Sequence, residues 1–226
     1  MNKQQSKIHW LNRTVLGIGM ASLFSDMSHE VATALLPAFL STMGVAAAWL
    51  GAIEGVSDGL ASFTKMGSGY FTDKLRNRKP LVVAGYLVTA LGTASFALAT
   101  QAWQVMLGRS IAWFGRGVRS PVKKAVLAAA VTKETYGRAF GFERTMDTIG
   151  AIVGPALAFV LLGAMHQNYS ALFALTLIPG FLAVGFIAFA VRERGRVPVK
   201  YRSFREGLRA LPQSFRSLLA GVGLFG

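Results

Sequence analysis

Six long apolar segments follow one another along this chain, and their charge content repeats as charged, charged, bland, then charged, charged, bland. Residues 14–43 carry Asp26, His29 and Glu30, and residues 47–71 carry Glu54, Asp58 and Lys65, whereas residues 80–100 carry no charge. Residues 102–131 then hold Arg109, Arg116, Arg119, Lys123 and Lys124. Residues 136–162 hold Arg138, Glu143, Arg144 and Asp147, and residues 169–191 are again charge-free. A membrane-crossing helix needs roughly 20 predominantly apolar residues, and each segment reaches that length with a short polar break after it. The pattern predicts an all-α, polytopic membrane protein with six transmembrane helices. A charge in hydrocarbon costs at least about 2.5 kcal/mol, so the charged segments are expected to face a bundle interior or water. The third and sixth are then free to face lipid.

The net charge of +14 over 226 residues would by itself fit a nucleic-acid or acidic-surface partner. Its placement argues for topology instead. Lys3, Lys7 and Arg13 precede the first segment, Lys74, Arg76, Arg78 and Lys79 fill the second break, and Lys133 and Arg138 flank the fourth. A further run extends from Arg192 to Arg216, while the breaks at 44–46, 101 and 163–168 hold no Lys or Arg. Basic residues in every second loop are the positive-inside pattern, which predicts a cytoplasmic N-terminus, residues 1–13, and leaves nucleic acid out of the partner set. Trp49, Trp103 and Tyr169 begin the second, fourth and sixth segments, at the depth that interfacial aromatics prefer. There is no cysteine and no metal-binding cluster, so no cofactor is expected. The apolar start is interrupted by Asp26, His29 and Glu30 and reads as a retained helix, not a cleaved leader.

Helical spacing sharpens the charged segments into stripes. At about 100° per residue, Glu54, Asp58 and Lys65 share one face, and Arg109, Arg116, Arg119 and Lys123 fall within an arc of about 80°. Gly51, Gly55 and Gly59 form a smooth ridge on the second segment, where a neighbouring backbone can approach closely. After residue 191, Tyr201, Phe204, Leu208, Leu211 and Phe215 recur at helical spacing, so residues 192–217 read as a basic amphipathic linker on the inner membrane face. Residues 218–226 then read as the truncated start of a seventh transmembrane helix.

The second break, GYFTDKLRNRK at residues 69–79, resembles the signature loop of the major facilitator superfamily: Gly69, Asp73, Lys74, Arg78 and Lys79 match, while Arg76 stands where the family has a second glycine. Arg109 with Gly115 and Gly117 is similar to the family's arginine-and-glycine motif, with the glycines displaced by two positions. Gly150, Gly154 and Pro155 resemble the start of the motif associated with antiporters, from which Phe159 departs. The charged, charged, bland repeat also matches the three-plus-three inverted repeats from which each six-helix half of such transporters is built. The resemblance covers nearly the whole chain and implies an N-terminal six-helix half, residues 14–191, with a C-terminal six-helix half as partner. It implies that the first and fourth helices line the central cavity and that Asp73 contributes to an inner gate.

Asp26 lies about 18 Å from the inner end of its segment and Asp58 about 16 Å from the outer end of its own, near the midplane where transporters place substrate and coupling ions. Desolvation there disfavours a charged carboxyl, which is the chemistry a proton carrier needs. Asp26, Glu30, Glu54 and Asp58 are therefore candidates for a proton pathway, or for ion pairs with Arg116, Arg119 or Lys65. Arg116 and Arg119 are placed to bind an anionic substrate group or, on the favoured reading, to pair with Glu143 and Asp147. Lys123, Glu143 and Asp147 are candidates for intramembrane ion pairing, and Lys123 and Lys124 can also snorkel to the inner surface. The function expected is secondary active transport of a small solute, coupled to protons and tilted towards export, in the inner membrane. The alternative is a non-transporting membrane protein that keeps the six-helix scaffold as a sensor or assembly partner. No catalytic constellation points to an enzyme.

Overall fold

Asn12 starts the first helix: its side-chain oxygen accepts hydrogen bonds from the backbone N–H groups of Thr14 and Val15 at 2.9 and 3.0 Å, satisfying donors that have no partner inside a helix. The computed structural model describes residues 10–193. Residues 1–9, the amphipathic linker beyond Glu193 and the apolar run 218–226 lie outside it, as do the side chains of Asp73 and Lys74. The helices are α1 (Arg13–Thr42), α2 (Ala47–Lys74), α3 (Lys79–Ala94, extended by a 3-10 turn Ser95–Leu98), α4 (Ala102–Ala129) and α5 (Tyr136–Ala164). Then follow α6 (Tyr169–Leu175) and α7 (Leu177–Gly185), which ends in a π turn, Phe186–Ala190. No strand occurs among the described residues.

The apolar segments become helices to within a few residues of their expected ends, with one departure. The sixth is broken at Thr176. Pro179 has no N–H to give the Leu175 carbonyl, and Ser28 of α1 donates to the Thr176 carbonyl at 2.9 Å, so the break is stitched to its neighbour. Pro37, Pro121 and Pro155 sit inside helices without ending them. Three helical runs are long and apolar enough to cross a membrane by composition: Lys79–Leu98, Lys133–Ala164 and Tyr169–Ala190. The others, α1, α2 and α4, are 30, 28 and 28 residues long and more polar, because they carry charged stripes.

Packing follows two small-residue seams. On α1 lies α5, where a Cβ at Gly154 would stand 2.9 Å from the Met27 carbonyl oxygen and 2.7 Å from the Glu30 Cβ; Gly150 meets the Leu23 carbonyl in the same way. On α4 lies α3, where a Cβ at Gly92 would be 2.6 Å from the Ala112 nitrogen. In addition α2 packs on α4, α7 on α1, and α3 on α7. The long α1 threads two apolar cores. One gathers Val31, Leu35, Leu36 and Phe39 with Phe96, Leu172 and Phe173; the other gathers Val15, Ile18 and Ala21 with Tyr86, Val122 and Ile187. The buried polar residues Ser22, Ser25, Asp26, Ser28 and His29 occupy the stretch of α1 between them.

The glycine ridge of α2 behaves differently from its expected packing role. A Cβ at Gly51, Gly55 or Gly59 would meet nothing within 4 Å, so no described helix covers this face. The reason is that α2 turns its opposite side, with Ile53, Ser57 and Ala61 buried, towards the bundle.

A candidate charged cavity between α1, α2, α4 and α5

The polar stretch of α1 faces the cationic stripe of α4. Asp26 pairs with Arg116 at 3.0 Å, and Ser25 accepts from Arg119 at 2.7 Å. Ser22 accepts from Lys123 at 2.8 Å and donates to Glu143 at 3.1 Å, while Lys123 also pairs directly with Glu143. Three and four residues between these α1 positions put them on one helix face, which is why a single stripe can meet three cations. Glu143 and Asp147, one turn apart on α5, present their carboxyls to the same space, and Asp147 lies beside Asp26 while pairing with Arg144 at 2.9 Å. The space between these helices is an open cavity of about 350 Å³ lined by Asp26, Lys65, Arg116, Arg119, Ser120, Pro121, Lys123, Lys124, Glu143, Arg144 and Asp147.

Further along α4 a second polar group forms. Arg109 holds Glu54 through one nitrogen, at 2.7 and 2.8 Å to its two carboxylate oxygens, and Thr33 through the other at 3.0 Å. Trp113 lies between the two groups, 5.7 Å from the Arg109 guanidinium and 5.3 Å from that of Arg116. His29 meets its ring edge-on at 5.0 Å. The Arg119 guanidinium lies over the Tyr86 ring at 3.8 Å, within the range of a cation–π contact.

The candidate residues separate into those brought together and those left apart. Asp26, Arg116, Arg119, Lys123, Glu143 and Asp147 share the cavity. The favoured pairing of Arg116 and Arg119 with Glu143 and Asp147 is corrected: Arg116 takes Asp26, Lys123 takes Glu143, Arg144 takes Asp147, and Arg119 has no carboxylate partner among the described residues. Most of α5 packs along α1, and it touches α4 only slightly. Lys123 is buried and does not snorkel, while Lys124 is exposed. Glu54 belongs to the Arg109 group. Glu30 is half-buried against Gly154, and Asp58 is exposed on the open face of α2; neither has an ion pair or hydrogen bond among the described residues.

At the loop, Gly69 is uncrowded, and α2 ends at Lys74. Arg78 is 2% exposed, and its Nε donates to the Thr72 carbonyl. The backbone N–H groups of Arg78 and Lys79 both donate to one carboxylate oxygen of Glu193, at 2.6 and 2.8 Å. Glu193 thus anchors the start of α3, a role that its position in a basic tail does not signal. Gly150 and Gly154 lie in the seam against α1, with Pro155 beside them in α5.

A family model described as Major Facilitator Superfamily matches residues 17–225. An uncharacterized MFS-type transporter of Methanocaldococcus jannaschii is 25% identical over 225 residues, which is 100% of this chain and 56% of that protein. The multidrug resistance protein MdtH of Salmonella typhi is 28% identical over 201 residues, 83% of this chain and 46% of its own length. The chain thus spans about half the length of the curated relatives it matches. Among solved structures, a bacterial homolog of the human lysosomal transporter Spinster, inward-facing and unoccupied, superposes with a TM-score of 0.74 at 14% identity, covering 92% of this chain and 48% of that one. A peptide transporter POT superposes with a TM-score of 0.72 at 15% identity, covering 94% of this chain and 46% of that one.

Proposed function

Because this chain belongs to the major facilitator superfamily, a family of multi-pass membrane transporters, we propose that it forms a six-helix half of a secondary active transporter, moving a small solute by alternating access with proton coupling. The observation that carries this reading is the open cavity between α1, α2, α4 and α5, whose lining is dominated by charged side chains. Substrate and ion sites at midplane depth between repeats are the design of such transporters. The helix pairs support a three-plus-three repeat: exchanging the first three segments with the last three turns the contact of α1 with α5 into that of α4 with α2. The same exchange turns the contact of α1 with α7 into that of α4 with α3.

On this reading Asp26, Glu30, Glu54 and Asp58 carry the proton pathway, and Arg116 and Arg119 meet the substrate. Lys123, Glu143 and Asp147 hold the charged layer together, and residues 69–79 with Asp73 form the inner gate. The partner is a C-terminal six-helix half, which the bare Gly51, Gly55 and Gly59 ridge suits, since nothing described covers it. The N-terminus is cytoplasmic and the membrane is the inner one. Export is the direction favoured by Gly150, Gly154 and Pro155 and by the likeness to a multidrug resistance protein.

Uptake or efflux in vesicles under an imposed proton gradient tests the coupling. With Asp26, Glu30, Glu54 and Asp58 all changed to their amides, gradient-driven transport is expected to vanish. Transport that survives the fourfold change places coupling elsewhere.

A further inference from the structure

Arg119 is the one cation of the cavity that is buried and has no carboxylate partner among the described residues, at 3% exposure. The three cavity carboxylates are taken by Arg116, Lys123 and Arg144. Lys65 and Lys124 are also unpaired, but both are exposed and water can solvate them. Arg119 is held at two points, by Ser25 at 2.7 Å and by the Tyr86 ring at 3.8 Å. Its Nε remains buried without a hydrogen-bond partner, and so does one terminal nitrogen, Nη1, of neighbouring Arg116. A buried guanidinium with idle donors is costly unless an anion meets it. Both arginines line the same cavity.

The geometry points to an anion subsite at this place: the transported solute carries a carboxylate, phosphate or sulfonate group that docks where the Arg116 and Arg119 side chains line the cavity and supplies the counter-charge that Arg119 lacks among the described residues. The planar guanidinium suits such oxyanions, and Ser25 and Tyr86 act as positioning residues that hold Arg119 before the ligand arrives. The inference rests on the transporter reading for the word solute. Binding at the subsite is measurable without transport.

Trp113, 5.3 Å from the Arg116 guanidinium, supplies a reporter. The full-length protein in phosphatidylcholine nanodiscs is titrated with sodium sulfate, phosphate and acetate at constant ionic strength, with choline chloride and glycerol as controls, while tryptophan fluorescence is followed. A saturable change is expected with at least one anion and with neither control, absent in Trp113→Phe. Affinity is expected to fall at least tenfold in Arg119→Gln, to recover in part in Arg119→Lys, and to stay within twofold in Arg138→Gln, a variant at the exposed first turn of α5. Circular dichroism and monodispersity establish that each variant is folded, and Arg119→Lys keeps the comparison available if the glutamine variant is not. No saturable response to any of the three anions, or a wild-type response in folded Arg119→Gln, overturns the subsite. So does a response to phosphatidylglycerol in the disc without one to soluble anions, which assigns the arginines to a lipid headgroup. Anion binding without any transport sinks the transporter reading and keeps the subsite. Transport of a neutral or cationic solute that ignores Arg119→Gln does the reverse.

Discussion

Lys123 and Glu143 show how a charged residue is kept inside an apolar bundle. Each neutralises the other, and Ser22 bonds to both. Breaking such a pair from one side leaves a lone buried charge, at a cost of about 3–5 kcal/mol, whereas removing both ends costs less. Unfolding in detergent is expected to rank Lys123→Ala as more destabilised than Lys123→Ala with Glu143→Ala; equal or reversed order removes the pairing argument. Glu193 makes a comparable prediction outside the bundle. In Glu193→Ala the N–H groups of Arg78 and Lys79 lose their shared acceptor, a loss of about 1–3 kcal/mol where water does not replace it. Faster amide exchange across residues 76–80 would report it. Asp26, Glu54, Lys123 and Glu143 were visible in the sequence because a charge in an apolar run stands out. Ser25, Tyr86 and Trp113 were not, since a hydroxyl or an indole in such a helix is ordinary until its neighbour is known. The spacing of Ser22, Ser25, Ser28 and His29 along α1 was the signal available for a polar face.

Two glycine-bearing helices use the same residue for opposite purposes. On α5, Gly154 lets α1 come within van der Waals distance, and a side chain there would run into the Met27 carbonyl. On α2, Gly55 borders open space. Gly154→Leu is expected to abolish a monodisperse, folded protein, because overpacking at a backbone contact has no flexible atom to yield. Gly55→Leu is expected to leave the helix content and thermal stability of this bundle within experimental error while reducing transport severalfold, by blocking the close approach of a second helical unit. If Gly55→Leu transports normally, the ridge is not a docking face. Sequence spacing marked both motifs as packing surfaces, but it had no means to tell the used seam from the bare one. That distinction depends on the rotation of α2 about its axis against α4.

For the whole molecule, the absence of cysteine makes topology directly measurable. On intact cells a membrane-impermeant maleimide is expected to label a single cysteine at Gln167 but one at Arg76 only after permeabilisation; the reverse result overturns the expected orientation, and labelling of both in intact cells overturns the alternation of the loops. The approximate helix ends, the break at Thr176 apart, and the alternation of charged with bland segments could be read from residue order, because the length of an apolar run and a charge within it are properties of each segment by itself. Which helices touch is a different kind of fact. It depended on α1 lying along α5 while both meet α4, which sets Asp26 facing Arg116, Glu143 facing Lys123, and Arg119 buried without a carboxylate partner among the described residues. Pairing between segments is set by side-chain fit across their interfaces, so it emerged when the bundle was assembled and could not be deduced helix by helix.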